Sequence, residues 1–135
     1  MIEINAPGAS FIISAHRPFD IEGWCKVHVE VKTNGFIGET DAWLEKASLE
    51  RFGTDLGWMM QNLGKECTAS LCCAEPDLDI QLKMNRLGQI AGTFALESER
   101  REGVPTVLSG SFDMDQTFLP QIKTQLRNLL MSLKG

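Results

Sequence analysis

The chain lacks the residue combinations on which most small enzymes and metalloproteins rely. Of its 135 residues only two are histidines, His16 and His28, and its four cysteines form no Cys-x-x-Cys pair. Zinc sites usually take their ligands in such closely spaced pairs, so the sequence argues against a metal site. A serine-hydrolase triad is not indicated either, because neither histidine lies near a Gly-x-Ser-x-Gly motif. We predict no catalytic residue, no cofactor and no metal ligand.

Long apolar runs are also missing. No stretch approaches the roughly 20 apolar residues that span a bilayer. Residues 1–5 show no basic segment followed by an apolar core, which is the pattern of a signal peptide. We therefore expect a cytoplasmic protein that does not contact a membrane. The four cysteines are expected to be buried thiols that pack as small hydrophobic residues.

Acidic residues outnumber basic ones. The chain has 18 Asp and Glu against 13 Lys and Arg, which gives a formal net charge of −5. Nucleic-acid binding depends on Lys and Arg that displace counterions from phosphates, so direct binding to nucleic acid is not expected. An acidic surface favours a basic protein partner, because complementary fields raise association rates.

Length and composition are those of one globular unit. A chain of 135 residues of which 43% are hydrophobic can form a sizeable core. There is no linker, no repeat of solenoid length and no low-complexity tract. We predict a single α+β domain over residues 1–135.

Alternating apolar and polar residues predict the strands. In the clearest case, residues 78–85, Leu78, Ile80 and Leu82 alternate with polar side chains. The dipeptide at 34–35, Asn-Gly, is the strongest hairpin signal in the chain, and Gly38 in the returning strand indicates a β-bulge. The predicted strands are residues 10–16, 26–32, 36–42, 67–74, 78–85, 89–97 and 104–112.

Two segments change to helical spacing. The first helix is predicted to begin at Ser48 as N-cap and to stop at Gly64, and Thr117 is expected to cap the second. Gly53 and Gly57 lie four residues apart and predict a close approach to another element. The apolar stripes are Leu49, Phe52, Leu56, Met59, Met60 and Leu63, and then Leu119, Ile122, Leu126, Leu129, Leu130 and Leu133.

These elements predict an α+β fold. One antiparallel meander sheet of about six or seven strands would carry two amphipathic helices on one face, in the order β-β-β-α-β-β-β-β-α. Trp43 and Trp58 are expected at the edge of the core. The opposite face of the sheet is expected to be exposed to solvent. It would carry Lys26, His28, Glu30, Asp79, Gln81, Lys83, Gln89, Thr93 and Glu97.

Carboxylates two residues apart are the remaining candidates for acid–base chemistry. Asp77 and Asp79 share a side of the chain if that stretch is extended, and so do Asp113 and Asp115. We favour structural roles for these acids, as solvated turns and helix caps.

Several segments together resemble the WapI-like family of bacterial immunity proteins. The resemblance runs through residues 23–24, 27–31, 34–38, 42–44, 49–52, 88–90 and 112–119, with Leu56 and Leu63. The most distinctive piece is residues 115–117, Asp-Gln-Thr, at the entry to the last helix. No catalytic motif belongs to the pattern.

This resemblance implies a non-enzymatic protein that binds and neutralises a cognate toxin, often a nuclease domain at the end of a large secreted protein. A nuclease presents a basic groove to nucleic acid, and an acidic partner can cover that groove. The expected toxin-binding residues are acids on the solvent-exposed face of the sheet or at its edges. They are Glu30, Glu39, Asp41, Glu75, Asp77 and Asp79.

Two other functions stay open. The first is a small-ligand-binding or enzyme-like domain with a cleft between helices and sheet, where Gly53, Gly57 and the Met59-Met60 pair leave room. The second is self-association through an exposed strand edge, so that the chain is either a monomer or a homodimer.

Overall fold

The structure, a computed structural model, describes residues 1–73, 77–98 and 103–133. Within them the chain forms eight strands and two α-helices. The first half contains β1 (Ile2–Ala6), β2 (Ala9–Ala15), β3 (Trp24–Thr33), β4 (Phe36–Glu45) and α1 (Lys46–Gln61). The second half contains β5 (Cys67–Cys72), β6 (Leu78–Met84), β7 (Gln89–Glu97), β8 (Val107–Asp115), a short 3₁₀ turn (Gln116–Phe118) and α2 (Leu119–Ser132).

The α+β class and the two helices are confirmed, but the single predicted sheet is wrong. The strands form two antiparallel sheets of four, a first sheet in the order β1-β2-β3-β4 and a second sheet in the order β5-β6-β7-β8. Each sheet is a meander that is followed by a helix. In the chain α1 lies between β4 and β5 and packs against β5, and in the described residues no strand of one sheet pairs with a strand of the other.

The predictions missed β1. Its sequence alternates as a half-buried strand does, with Ile2 and Ile4 buried and Glu3 and Asn5 exposed. Gly8 adopts a φ of 90° in the turn that follows, which a residue with a Cβ rarely does. The turn returns the chain into β2, and β1 pairs with β2 along its whole length.

The core is formed by the buried faces of both sheets and the apolar stripes of both helices. Phe11 of the first sheet is fully buried. Its ring lies 5.2 Å from that of Phe94 and 5.1 Å from that of Phe112, both in the second sheet. Burying such a side chain contributes roughly 1.5–3 kcal/mol, so these rings help to hold the two sheets together.

The prediction that both helices lie on one face of a single sheet is wrong. Instead α1 packs against β5 of the second sheet, α2 packs against β1 of the first, and the helices contact each other. A Cβ built on Gly53 would lie 3.1 Å from Leu126 of α2, so the predicted close approach is confirmed at this glycine. At the edge of β1, the N–H of Glu3 donates to the side-chain oxygen of Gln125 at 2.6 Å.

Candidate functional site

The β3–β4 hairpin positions most of the predicted binding residues. Its two turn residues, Asn34 and Gly35, have φ values of 44° and 88°, as a type I′ turn requires. This turn sets the register, so that His28 lies opposite Asp41 and Glu30 lies opposite Glu39. Side chains alternate along each strand, and these four therefore project from the same, solvent-facing side of the first sheet.

We call this side the outer face of the first sheet. Beside the hairpin it includes residues of β2, since Ser14 lies opposite His28 and Ile12 lies opposite Glu30. Its members include Ile12, Ser14, Lys26, His28, Glu30, Lys32, Ile37, Glu39, Asp41 and Trp43.

His28 is the centre of a polar network on this face. Its Nδ1 lies 3.0 Å from Asp41 Oδ1 and its Nε2 lies 3.4 Å from Glu39 Oε1. The hydrogen bond to Asp41 is the main cause that raises the pKa of His28 above its ordinary value, and the bond to Glu39 adds to it. A carboxylate on each side of the ring thus favours the protonated imidazole.

The acids of the outer face of the first sheet are paired with bases of the same face. Lys26 Nζ lies 3.8 Å from Asp41, and Lys32 Nζ lies 3.5 Å from Glu30. All of these side chains are at least partly exposed, so each pair contributes at most about 1 kcal/mol to stability. The face is therefore a mixed polar surface whose charges can exchange partners, and not a bare acidic patch.

Large apolar side chains lie at both ends of this network. Trp43 is 49% exposed and Ile37 is 67% exposed. Next to Trp43 a cavity of about 570 Å³ is lined by Trp24, His28 and Asp41, among others. Exposed aromatic residues among polar groups are typical of the centres of protein–protein interfaces.

The remaining predicted acids lie on the second sheet or outside the described residues. Asp79 projects from β6, where the thiol of Cys72 donates to its Oδ1 at 3.1 Å. Asp77 precedes β6, and its carbonyl accepts from the N–H of Glu97 at 3.0 Å. Glu75 lies outside the described residues. The structure therefore brings Glu30, Glu39 and Asp41 together, and places Asp77 and Asp79 on the other sheet.

The outer face of the second sheet is chemically plainer. The row that crosses its four strands consists of Ser70, Gln81, Thr93 and Ser111. Ala91, Ala95 and Ser109 lie next to this row, and charged residues of the face, among them Asp79, Lys83 and Asp113, lie on either side of it. No aromatic side chain projects from the described part of this face.

A second cavity, of about 660 Å³, lies at the β6–β7 turn. Asp113 and Asp115 both line it, as expected for residues on one side of a strand. Asp115 also caps the 3₁₀ turn by accepting from the Thr117 N–H at 2.9 Å, and the hydrogen bonds from Thr117 lower the pKa of Asp115. Glu66 and Lys83 complete its charged lining, and Met84, Ile90, Met114 and Phe118 are its apolar residues.

Within residues 1–73, 77–98 and 103–133, no three Cys, His, Asp or Glu side chains are grouped closely enough to hold a metal ion. In the same ranges, neither helix has the length and apolar character needed to cross a bilayer. The space expected next to Gly53 and Gly57 is occupied by Leu126 and Lys123 of α2.

Trp43 is the residue that sequence reasoning misjudged. It was expected at the edge of the core, yet it projects from the outer face of the first sheet. The signal was available in β4, where Trp43 follows the alternation of Glu39 and Asp41, while Thr40, Ala42 and Leu44 are buried.

These features define a small α+β protein with a polar and aromatic sheet face of the kind found at protein–protein interfaces. The chain belongs to the immunity protein WapI-like family, whose family model matches residues 2–133. The resemblance seen in the sequence is thereby confirmed, and membership indicates toxin neutralisation. No curated protein and no solved structure matches the chain.

Proposed function

We propose that this protein binds a cognate toxin in the cytoplasm through the outer face of the first sheet, and that the toxin is a nuclease-type domain with a basic surface. The family match supports the general role. The main observation in favour of this surface is the network of His28 with its two carboxylates, which lies between exposed Trp43 and Ile37.

The difference between the two sheets favours this surface. Both sheets have a solvent-facing side, but only the first combines exposed aromatic and aliphatic side chains with charged groups in the part that the structure describes. Trp residues surrounded by polar groups supply much of the binding energy at protein interfaces. The outer face of the second sheet also carries polar and charged side chains, but no aromatic side chain projects from its described part.

The charge of the protein supports a basic partner. A net charge of −5 attracts a positively charged domain over a distance of about 8–10 Å at physiological salt. On contact, basic side chains of the toxin would replace Lys26 and His28 as partners of Asp41 and Glu39. Binding of this kind blocks the groove without any reaction catalysed by the immunity protein.

Co-expression tests the proposal. A candidate toxin domain, taken from a gene next to the one for this chain, is produced in a host cell with and without the immunity protein, and growth is recorded. The wild-type chain is expected to restore growth, and the purified chain is expected to block cleavage of RNA or DNA by the toxin. A toxin that remains active in the presence of the folded chain would contradict the proposal.

A pair of variants locates the surface. Glu39→Lys with Asp41→Lys places two lysines on the outer face of the first sheet, and growth is expected to be lost. The control variant, Ser109→Lys with Ser111→Lys, places two lysines on the outer face of the second sheet and is expected to retain protection. The reverse result would assign binding to the second sheet.

A second candidate function is small-ligand binding at the cavity near the β6–β7 turn. Its volume of about 660 Å³ and its mixed lining fall within the range of ligand sites. Thermal unfolding in the presence of a panel of small cationic compounds tests this function. A stabilising compound whose effect disappears in Asp113→Asn would support it, and the absence of any shift across the panel would count against it.

A further inference from the structure

Within residues 1–73, 77–98 and 103–133, β4 is an edge strand with no partner on its outer side, and its hydrogen-bond pattern shows which residues face outward. A two-residue type I′ turn makes Thr33 and Phe36 a hydrogen-bonded pair, and every second pair along the hairpin is then hydrogen-bonded. The far end of the hairpin obeys the same alternation, because the N–H of Lys46 donates to the carbonyl of Gly23 at 2.8 Å. The residues of β4 that bond to β3 are therefore Phe36, Gly38, Thr40, Ala42 and Leu44.

The backbone groups of the alternate residues point away from β3. These residues are Ile37, Glu39, Asp41 and Trp43. In the described part of the chain no backbone group pairs with them from the other side. Among them, the carbonyl oxygen of Asp41 accepts a long hydrogen bond from the Thr40 hydroxyl, at 3.5 Å. Each of them thus offers an N–H donor and a carbonyl acceptor along the edge.

Two of the other three sheet edges lie against helices. At the edge of β1, Gln125 of α2 accepts from the N–H of Glu3, and α1 packs against β5, the edge strand of the second sheet. In the described residues the β8 edge is also unpaired, but at its centre it carries Gly110 between two serines, which offer a partner little side-chain contact. The β4 edge instead presents exposed Ile37 and Trp43.

The side chains of β4 argue against a second copy of this chain as the occupant. Antiparallel pairing of two β4 edges about their centre would set Glu39 of each copy opposite Asp41 of the other, and Ile37 opposite Trp43. Like charges directly opposite each other destabilise a strand pair. Charged residues at the centre of an edge are a common protection against self-pairing. The same two acids favour a strand that carries Lys or Arg.

We propose that the outer edge of β4, residues 37–43, is the docking site of an extended basic segment of the toxin, which pairs with β4 and adds a strand to the first sheet. This proposal rests on the proposed function and names the contact more closely. Backbone hydrogen bonds would come from Ile37, Glu39, Asp41 and Trp43, as in other cases of strand addition. The bound segment would place basic side chains beside Glu39 and Asp41 and apolar ones beside Ile37 and Trp43.

Amide hydrogen exchange, resolved by residue with NMR, tests the pairing directly. The probe is the toxin domain that the co-expression test identifies, inactivated by substitution of a catalytic residue. In the free protein the amides of Gly38, Thr40 and Ala42 are expected to exchange slowly and those of Glu39 and Asp41 rapidly. In the complex, Glu39 and Asp41 are expected to slow by at least about tenfold.

Three results are informative here. Rapid exchange of Glu39 and Asp41 in a complex that forms would overturn the proposal and leave the proposed function standing. Slow exchange in the free protein that depends on protein concentration would show that a second copy occupies the edge, and would also overturn it. Failure of the folded chain to bind the toxin at all would instead overturn the proposed function.

Proline variants separate backbone pairing from charge. Glu39→Pro removes one outward N–H and leaves the bonds to β3, and proline is tolerated on edge strands. Its matched control, Glu39→Gln, removes the same charge but keeps the N–H. The proline variant is expected to bind the toxin at least about tenfold more weakly than the glutamine variant, because it also obstructs the added strand.

Folding of each variant is checked by circular dichroism and thermal unfolding. If Glu39→Pro does not fold, the same comparison is made nearer the end of the strand. The variant is then Ile37→Pro and its control is Ile37→Val. Equal affinities of a folded proline variant and its control would contradict strand addition.

Discussion

His28 lies between two carboxylates that the register of the β3–β4 hairpin brings to it. We predict that the pKa of His28, followed by NMR titration of its ring protons, lies above the ordinary value of about 6.5. Asp41→Asn is expected to lower this pKa more than Glu39→Gln does, because the bond to Asp41 is the larger cause of the rise. A larger effect of Glu39→Gln would contradict the geometry of the network.

The raised pKa of His28 has a consequence for stability. A histidine whose pKa is higher in the folded state stabilises the fold fully below its unfolded pKa and loses this contribution as the pH rises through its folded pKa. His28→Gln is therefore expected to lower the free energy of unfolding at pH 5.5, by less than about 1 kcal/mol since the group is exposed. At pH 8.5 it is expected to have little effect, and urea unfolding at the two values checks this.

Cys72 is exposed but is expected to react slowly. Partial burial, and then the hydrogen bond to Asp79, raise its pKa to about 11. At pH 8 its thiolate fraction is thus about a hundredfold below that of an ordinary thiol. In a Cys73→Ala background, alkylation of Cys72 by iodoacetamide should be slow, and Asp79→Asn should accelerate it. Asp113→Asn, on the same face, is the control and should leave the rate unchanged.

At the scale of elements, two glycines of the second sheet are matched to two phenylalanines across it. Gly92 lies opposite Phe112, and Gly110 lies opposite Phe94. The ring of Phe112 covers Gly92 so closely that an added Cβ would overlap it. Since Phe112 is buried against Phe11, it has little freedom to move away.

We predict that Gly92→Ala lowers the free energy of unfolding by about 1–3 kcal/mol, as other overpacked core sites do. The control is the same substitution in α1, Gly57→Ala. There the added Cβ meets only the flexible end of Lys123, and the higher helix propensity of alanine is expected to raise stability by up to about 1 kcal/mol. Urea unfolding measures both, and equal effects of the two substitutions would contradict this packing.

Elements with a clear local pattern could be predicted from the sequence. The alternation in β3, β6 and β7 and the type I′ turn are set by neighbouring residues, and all were found. Packing between distant segments could not be predicted. Gly38 was expected to form a bulge, yet it pairs regularly with Val31 and is a glycine because Leu108 of the second sheet lies against it. The start of α1 was placed at Ser48 rather than Lys46, because no side chain caps this helix.

At the scale of the whole molecule, the division into two sheets was beyond the sequence pattern. Apolar and polar residues alternate along β1 to β4 and β5 to β8 in the same way whether these strands form one sheet or two. The candidate site could also be predicted only in part from the sequence. Alternation placed Glu30 and Glu39 on one face, but Asp79 was assigned to that face only because a single sheet was assumed.

The three phenylalanines that join the sheets lead to a prediction for the whole chain. If residues 1–135 fold as a single domain, as we propose, Phe11→Ala should lower the stability of both sheets together, by about 3–5 kcal/mol. Urea unfolding followed by tryptophan fluorescence and by far-ultraviolet circular dichroism should then give coincident transitions. Separate transitions would indicate two independently folding halves.

The affinity of the toxin domain for two tryptophan variants tests the central claim most directly. Trp43 and Trp58 are each 49% exposed, but Trp43 projects from the outer face of the first sheet and Trp58 lies on α1. Isothermal titration calorimetry is expected to show that Trp43→Ala weakens binding by about 2 kcal/mol or more, and that Trp58→Ala leaves it nearly unchanged. Unchanged affinity of Trp43→Ala, together with a loss in Trp58→Ala, would contradict binding through the first sheet.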